Sequence, residues 1–242
     1  MGVTPLVSII SPCHNGEEYV GRMLDSILAQ TYTHIEMICV DNGSEDNTAE
    51  IIESYSPKFE EKNMSLKLMR QDDQGPGGAL NNALKYVNGD YLCWIDCDDF
   101  LTEDSVEIKL NILENSDEYG ICSSDYYYVN EDNLSKILRR DIEKSGHLNY
   151  QKNQFMLCLT RVGSGAPLRH MIRMRYFDKI NPKREIYNCR YGQNKQMLLP
   201  IYYHYPRYYI DKPLGYYVIR SNSCSHIIRT NEENKLLYNE FI

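Results

Sequence analysis

Two carboxylates that could bind a divalent cation, those of Asp96 and Asp98, lie in an acidic segment that follows one apolar run of the sequence. Asp96, Asp98 and Asp99 come directly after residues 91–95, a run typical of a buried strand. Asp96 and Asp98 are two residues apart, so both carboxylates point to the same side of an extended strand end. Carboxylates placed together repel unless a cation lies between them, and their hard oxygen atoms suit Mg²⁺ or Mn²⁺, which would bind a diphosphate. The alternative is that these residues only cap the next helix, and the strand-end position favours the metal.

Polar residues also follow two other apolar runs. Residues 12–15 (PCHN) follow a run at 6–11, and residues 41–44 (DNGS) follow a run at 35–40. Parallel strands place their carboxyl ends at one edge of a sheet, and that edge is where ligands bind in such folds. We therefore expect the three polar groups to converge.

The elements that position these groups alternate between strand and helix. Apolar runs at 6–11, 35–40, 65–69 and 91–95 predict strands, and segments at 19–28, 46–55, 75–87 and 102–114 have helical spacing or helix-start signals. Four such repeats with nearly all-apolar strands predict an α/β fold, with a mostly parallel Rossmann-like sheet flanked by helices. After residue 120 the pattern is weaker: residues 126–160 have no clear period. A short helix from 192 ends at Pro200, and short strands follow at 208–210 and 216–220.

A glycine-rich loop at residues 74–78 (QGPGG) precedes the third helix. It matches neither the P-loop pattern nor the dinucleotide-binding pattern, which removes the main support for those two classes. The loop is either a simple turn before the helix or a close approach of the backbone to a phosphate or sugar. Both interpretations stay open.

Composition limits the class of protein. The 242 residues, 42% of them apolar and 25% charged, predict a single globular domain, and a net charge of -8 argues against non-specific nucleic-acid binding. The charge is uneven, because residues 1–120 hold 23 acidic and 7 basic side chains (net -16), whereas residues 121–242 hold 11 and 19 (net +8). The two halves are thus expected to bind different partners.

Cysteine usage and hydropathy indicate the compartment. The eight cysteines stand singly without structural-zinc spacing, which is typical of reduced thiols in a cytosolic protein. The sequence has neither a signal-peptide start nor an apolar run of about 20 residues. We expect a cytoplasmic protein, with peripheral contact to the inner face of the membrane as an open alternative. Residues 230–242 have the spacing of an amphipathic helix, which could mediate a homo-oligomer or a membrane-surface contact.

Three ordered motifs resemble those of the family-2 glycosyltransferases of the GT-A fold. They are VSIISPCHN at 7–15 with QTY at 30–32, VDNGSEDNT at 40–48, and NGDYLCWIDCDD at 88–99. The resemblance implies a single GT-A domain over residues 1–242, with a small acceptor-side α+β part and a C-terminal helix. Residues 1–120 would form the nucleotide-sugar half, and residues 121–242 the acceptor half.

The resemblance also implies an activity. It is that of a hexosyltransferase which moves a sugar from a UDP-sugar, assisted by Mn²⁺ or Mg²⁺ and with inversion at the anomeric carbon. The acceptor would be a saccharide or a lipid-linked or protein-linked glycan in bacterial surface-glycan biosynthesis.

The family pattern assigns roles to residues of this sequence. Pro12 and His14 would lie against the base, and Asp41 would hydrogen-bond the uracil edge. Asp96 would contact the ribose or the metal, and Asp98 would ligate the metal. The other implied nucleotide-binding positions are Asn15, Asn42, Gly75, Asn81 and Arg220.

At some positions the sequence departs from the family pattern. Asn42 stands where a second Asp is frequent, and Leu80 stands where many members have Arg. The pair Gln193 and Asn194 stands where a Glu-Asp pair usually supplies the general base. An amide cannot take a proton at neutral pH. Three alternatives stay open: another carboxylate, such as Glu185, acts as the general base, the acceptor needs little assistance from a base, or catalysis is impaired.

Arg220 and His226 form a further candidate pair. Arg220 would contact diphosphate oxygens, and His226 would complete the metal shell; the alternative is a surface turn after a strand. Arg169, Arg173 and Arg175 either line the acceptor side or form a solvated basic helix face, and we expect the latter.

Two other functions remain open. A nucleotidyltransferase also places carboxylates at strand ends, but it needs a Gly-rich phosphate loop after the first strand, which residues 12–16 lack. A non-catalytic nucleotide-sugar-binding or scaffold protein is motivated by the amides at 193 and 194.

Overall fold

The computed structural model describes residues 4–141, 154–159, 166–188, 190 and 192–220. Within these ranges the strands are β1 (Val7–Cys13), β2 (Ile35–Asn42), β3 (Ser65–Gln71), β4 (Tyr91–Trp94), β5 (Phe100–Leu101), β6 (Ile121–Asn130), β7 (Asn133–Asp141), β8 (His170–Arg173) and β9 (Arg207–Ile219). The α-helices are α1 (Val20–Leu28), α2 (Thr48–Ser54), α3 (Ser56–Glu61), α4 (Gly75–Leu84), α5 (Ser105–Glu114), α6 (Gln154–Leu159), α7 (Met174–Ile180) and α8 (Gln193–His204).

The described strands form one sheet in the order β3-β2-β1-β4-β8-β6-β9-β5, with β7 paired to β6. Strands β3, β2, β1 and β4 are parallel neighbours, which confirms the predicted parallel half. Beyond β4 the sheet is mixed, because β8 is antiparallel to both β4 and β6 while β9 is parallel to β6. Since β1 lies between β2 and β4, the polar segments that follow these three strands meet at one edge.

The sheet has a hydrophobic core on each face. On one face, apolar side chains of α1, α2, α3 and α5 pack against the sheet, with Met23, Ile52 and Phe59 fully buried. On the other face, α4, α7 and α8 supply buried residues such as Leu84 and Met197. Helices on both faces leave the carboxyl edge of the parallel strands as the open side.

Some details of the second half differ from the sequence prediction. Helix α8 continues past Pro200 to His204, because only one main-chain hydrogen-bond donor is lost there and the next turn packs Ile201 and Tyr202 into the core. The strands predicted at 208–210 and 216–220 are one strand, β9, and residues without a sequence period form the β6–β7 hairpin. Local patterns missed both because irregular pairing shifts the alternation of side chains.

The prediction that Arg169, Arg173 and Arg175 form a solvated basic face is wrong for two of these residues. Arg169 and Arg173 are 2% and 4% exposed. Arg173 donates hydrogen bonds to main-chain carbonyls, including that of Ser116, and to the hydroxyl of Tyr91. These guanidinium groups therefore stabilise the fold between strands instead of lining an open acceptor surface. Arg175 is half exposed and pairs with Asp117.

The division into a nucleotide-sugar half and an acceptor half stays a prediction. The C-terminal helix proposed for residues 230–242 lies outside the described residues. In the described part of the chain, no helix has the length and apolar character needed to cross a membrane.

Candidate functional site

The acidic residues after β4 come together as the sequence predicts. One carboxylate oxygen from each of Asp96, Asp98 and Asp99 lies within 4.8 Å of the others. Asp99 is 1% exposed; its Oδ1 accepts a hydrogen bond from the main-chain N–H of Val218 at 2.9 Å, while its Oδ2 is buried without a hydrogen-bond partner. Burial and the charge of Asp98 raise the pKa of Asp96 to about 7, and the same causes raise the pKa of Asp99. The charged forms of these carboxylates are thus disfavoured unless a cation lies among them.

Two guanidinium groups flank this acidic cluster. The Nε atom of Arg220 lies 2.6 Å from Oδ2 of Asp98, and its guanidinium carbon lies 4.5 Å from the centre of the Tyr19 ring. Arg220, which the resemblance assigned to the diphosphate, is therefore at the site. On the other side, Arg22 of α1 donates a hydrogen bond from Nη2 to the main-chain oxygen of Asp98 at 2.7 Å. The cluster is held between one cation from α1 and one that follows β9.

Sequence reasoning missed Arg22. The residue occupies a polar position of an amphipathic helix, where an arginine is ordinarily solvated, so its spacing carries no signal. In the structure its Nε is buried without a hydrogen-bond partner, and burial lowers the pKa of the guanidinium despite the nearby charges of Asp98 and Asp99. Arg22 therefore helps fix the loop that carries the carboxylates.

The acidic cluster fits a divalent cation. Its atoms are all hard oxygen donors, which suit Mg²⁺ or Mn²⁺, and their spacing is near that required by one ion with ligand distances of about 2.0–2.6 Å. The unpartnered Oδ2 of Asp99 is a second sign, because a buried carboxylate oxygen without a donor is unfavourable unless a cation is present. Asp96 and Asp98 are thus joined by Asp99 as candidate ligands. His226 lies outside the described residues.

Hydrogen bonds join the segments after β1 and β2 into one wall. The main-chain N–H of Asn15 donates to Oγ of Ser44 at 3.0 Å, and Oδ1 of Asn15 accepts from the N–H of Glu45 at 2.9 Å. Nδ1 of His14 lies 2.9 Å from the main-chain oxygen of Asn42; a carbonyl only accepts, so Nδ1 carries the proton. The ring of His14 stays exposed beside Pro12, which is half-buried at the end of β1. Contact of Pro12 and His14 with the base stays a prediction.

The β2 end contributes Asp41 and Asn42. Asp41 is 6% exposed, and its Oδ1 accepts a hydrogen bond from the N–H of Ser44 at 3.2 Å. Both polar atoms of the Asn42 amide are engaged within the protein: Oδ1 accepts from Nε2 of Gln71 and the N–H of Gln74, and Nδ2 donates one hydrogen bond to Asp73. Its side chain therefore fixes the segment after β3, which accounts for an amide at this position.

The glycine-rich segment begins α4 directly. Gly75 has a φ of 73°, in the left-handed region that favours glycine, and its N–H donates to Oδ1 of Asp73 at 2.8 Å. Further along α4, Asn81 makes two hydrogen bonds to one residue: Nδ2 donates to the main-chain oxygen of Ile186 at 2.8 Å, and Oδ1 accepts from its N–H at 2.8 Å. The structure thus gives Asn81 a positioning role between α4 and the segment that leads to α8.

Asn194 and Gln193 lie in the first turn of α8. Oδ1 of Asn194 accepts a hydrogen bond from the indole N–H of Trp94, the last residue of β4, at 2.9 Å. The two residues are 100 positions apart, so this contact ties the start of α8 to the strand that carries the acidic cluster. Trp94 also stacks on His170, with 5.5 Å between the ring centroids. The start of α8 is therefore held against the last residue of β4, two residues before Asp96.

Glu185, the alternative carboxylate, lies elsewhere. It is exposed and lines a groove of about 360 Å³ between α4 and the segment after α7, together with Asn82 and Lys85. The lining of that groove includes neither Trp94 nor Asn194. Glu185 as an alternative base stays a prediction.

Comparison with known proteins agrees with this architecture. The fold is that of the GT-A glycosyltransferases. Staphylococcus aureus TarS (1–349) in complex with UDP-GlcNAc superposes with a TM-score of 0.72 at 20% identity, covering 97% of this chain and 66% of TarS. The mannosyltransferase PcManGT from Pyrobaculum calidifontis, in complex with GDP-Man and Mn²⁺, superposes with a TM-score of 0.64 at 14% identity, covering 91% of this chain and 59% of that one.

The family follows from the sequence match. Residues 8–177 match the family Glycosyl transferase family 2, and the chain belongs to that family. An uncharacterised glycosyltransferase of Rickettsia typhi is 40% identical over 118 residues, which are 49% of this chain and 35% of that protein. GlyA of Streptococcus pneumoniae serotype 4 is 33% identical over 132 residues, which are 54% of this chain and 18% of GlyA. The chain thus matches well under half the length of these relatives.

The comparisons confirm the resemblance itself and the GT-A fold, and the family to which the chain belongs is one of glycosyltransferases, as expected. It argues against the nucleotidyltransferase alternative. The matched lengths of 118 and 132 residues are about half of the chain. The family therefore leaves the donor and the acceptor of this chain to be inferred from the site.

Proposed function

We propose that this protein transfers a sugar from a nucleotide-sugar donor, a UDP-sugar, to a saccharide or a lipid- or protein-linked glycan of a bacterial surface polymer. One observation supports it above the others: a family-2 fold that gathers Asp96, Asp98 and Asp99 beside Arg220 at the carboxyl edge of its parallel strands. Nucleotide sugars bound to structural neighbours support the donor class. Inversion at the anomeric carbon and a cytoplasmic location belong to the same proposal.

The donor's diphosphate would bind between the acidic cluster and Arg220. Asp96, Asp98 and Asp99 would hold Mn²⁺ or Mg²⁺, which when bound offsets the negative charge that develops on the leaving diphosphate. Arg220 pairs with Asp98 and would turn its guanidinium to the diphosphate oxygens, while Arg22 keeps the loop in place through the Asp98 carbonyl. His14 and Asp41 would bind the base.

The experiment is a panel of UDP- and GDP-sugars with Mn²⁺ or Mg²⁺, in which release of the nucleoside diphosphate is measured. We expect one UDP-sugar to be consumed only in the presence of metal, and Asp98→Asn to lower turnover by at least about 100-fold because it removes a charged ligand. Glu61→Gln, on the exposed surface of α3, removes the same charge away from the site and serves as the control. Full activity of Asp98→Asn would contradict the metal assignment.

A second candidate function is supported by Asn194. Because an amide stands at the position of the usual base, the chain could bind a nucleotide sugar without transferring it. Calorimetry that shows UDP binding, together with no metal-dependent UDP release for any donor, would support this scaffold function over catalysis.

A further inference from the structure

Arg220 forms an ion pair with a carboxylate that the proposed function gives to the metal. Its Nε atom lies 2.6 Å from Oδ2 of Asp98, and the two side chains are only 22% and 14% exposed. The Nε–H does not point at that oxygen, because this buried Nε makes no hydrogen bond in the described part of the chain. The contact therefore offsets the charge of Asp98 but leaves a buried donor of Arg220 available to another acceptor.

Two further contacts keep the guanidinium at this place. Its central carbon lies 4.5 Å from the centre of the Tyr19 ring, within the range of a cation–π interaction. The main-chain N–H of Val218, two residues before Arg220, donates to Oδ1 of Asp99 at 2.9 Å and fastens the end of β9 to the acidic cluster. Arg220 can therefore leave Asp98 by rotation of its side chain, without movement of β9.

The guanidinium and a metal ion compete for Asp98. An ion held by the three carboxylates that follow β4 would lie close to the positive charge of Arg220, whichever oxygen of Asp98 it used, and like charges repel. Arg22 adds a second positive charge, since its Nη2 lies 2.7 Å from the main-chain oxygen of Asp98. If Arg220 turned away without a new partner, its charge would be left unpaired in a site that is largely shielded from water, which is unfavourable.

A diphosphate removes this conflict. Its oxygen atoms accept hydrogen bonds from a guanidinium, including one from the unpaired Nε–H of Arg220. Arg220 then exchanges one anion for another, and Asp98 becomes available to the metal. Each ligand thus favours the binding of the other, and linkage requires that the factor be the same in both directions.

We propose that Arg220 opposes binding of the metal alone and thereby couples the metal to the nucleoside diphosphate: its guanidinium stays on Asp98 until a diphosphate takes it. This inference rests on the proposed function. Arg220 is thus a positioning residue for the metal as well as a contact of the diphosphate. One consequence is specific to this coupling: loss of the Arg220 side chain strengthens the binding of Mn²⁺ alone and weakens the binding of UDP.

The test measures Mn²⁺ binding without nucleotide, by electron paramagnetic resonance of the free ion. We expect Arg220→Gln to bind Mn²⁺ alone at least about fivefold more tightly than the wild type, the lower end of typical coupling between two sites. In the wild type UDP should tighten Mn²⁺ binding, and in Arg220→Gln this factor should be at least about fivefold smaller. Calorimetry in the presence of Mn²⁺ should show weaker binding of UDP to the same variant.

Two further variants separate this competition from a simple change of net charge. Arg175→Gln removes the same charge from a half-exposed residue that pairs with Asp117, and its affinity for Mn²⁺ should stay within about twofold of the wild type because solvent screens distant charges. Tyr19→Leu keeps every charge but removes the ring beside the guanidinium, so Arg220 should spend less time at Asp98. We expect Tyr19→Leu to bind Mn²⁺ alone roughly twofold or more tightly than the wild type.

The failures are distinguishable. Unchanged or weaker binding of Mn²⁺ alone by Arg220→Gln overturns the inference, while the proposed function stands if the wild type binds Mn²⁺ and UDP together. An equal gain in Arg175→Gln also overturns it, because charge alone would then account for the effect. If Arg220→Gln does not fold, Tyr19→Leu decides, and no gain in its affinity overturns the inference. A wild-type protein that binds neither Mn²⁺ nor UDP, alone or together, refutes the proposed function itself.

Discussion

Replacement of Asn81 by alanine should destabilise the protein while leaving its affinity for UDP nearly unchanged. The side chain makes two hydrogen bonds of 2.8 Å to the main chain of Ile186, a residue that is 9% exposed. Each such bond contributes about 1 kcal/mol, and a buried partner left without a bond adds about 1–3 kcal/mol. We therefore expect Asn81→Ala to lower the free energy of unfolding by about 3 kcal/mol, a fall in Tm of roughly 6–12 °C at this chain length.

The measurement combines thermal unfolding with calorimetric titration of UDP in the presence of Mn²⁺. Asn81→Asp keeps an acceptor for the N–H of Ile186 and should have an intermediate Tm. Asn82→Ala removes one bond of 3.0 Å from the half-buried neighbour Asn82 to Gln71 and should lower stability by only about 0.5–1 kcal/mol. We expect UDP affinity to change less than threefold in all three variants.

The opposite pattern would refute this reasoning. If Asn81 contacts the nucleotide, as the family resemblance implies, loss of a hydrogen bond to a charged group would weaken UDP binding more than about tenfold. An unchanged Tm together with such a loss of affinity would show that the bonds to Ile186 do not stabilise the fold.

Two other predictions concern stability. Gly89→Ala should abolish soluble expression or lower Tm steeply, because an added Cβ would lie 2.6 Å from the main-chain nitrogen of Ser8. A Tm within 2 °C of the wild type, which corresponds to a loss of about 1 kcal/mol or less in the free energy of unfolding, would contradict this. Burial is the main reason that the pKa of His170 lies well below its usual range, and neighbouring positive charges lower it further. Below about pH 6.5 the unfolded chain binds a proton that the folded chain does not, so the stability advantage of wild type over His170→Gln should shrink as pH falls from 7 to 5.5. Urea unfolding at both pH values measures it, and a constant difference would argue against a neutral buried His170.

The first half of the fold could be predicted because its signals are local. Apolar runs that end in polar residues predicted β1, β2 and β4, and the spacing of Val20, Met23, Leu24 and Ile27 predicted α1. Parallel pairing then places Cys13 opposite Asp41, so the convergence of polar strand ends follows from topology. The β6–β7 hairpin escaped prediction because its pairing contains irregularities that interrupt the period of two.

The candidate site divides in the same way. Asp96 and Asp98 were predicted to lie together at an extended strand end; they do lie together, but β4 ends at Trp94 and a turn, closed by a 3.1 Å hydrogen bond from the N–H of Asp99 to the oxygen of Asp96, carries them. Asp99, by contrast, joins the cluster because Val218 of β9 fixes its carboxylate. Asn42 and Asn81 were predicted to bind the nucleotide, and their amides are instead engaged within the protein.

The sequence by itself determined the family, the parallel half of the sheet and the place of the acidic cluster, because each depends on residue types within a few positions of one another. Only the tertiary structure decided what surrounds that cluster. Arg22 reaches Asp98 across 76 positions, and Trp94 reaches Asn194 across 100. Such contacts depend on which hydrogen-bond donors and acceptors are still unpaired after the chain has packed. The local periodicity of the sequence does not predict them. The orientation of one amide, fixed by an indole that can only donate, therefore became visible only in the folded chain.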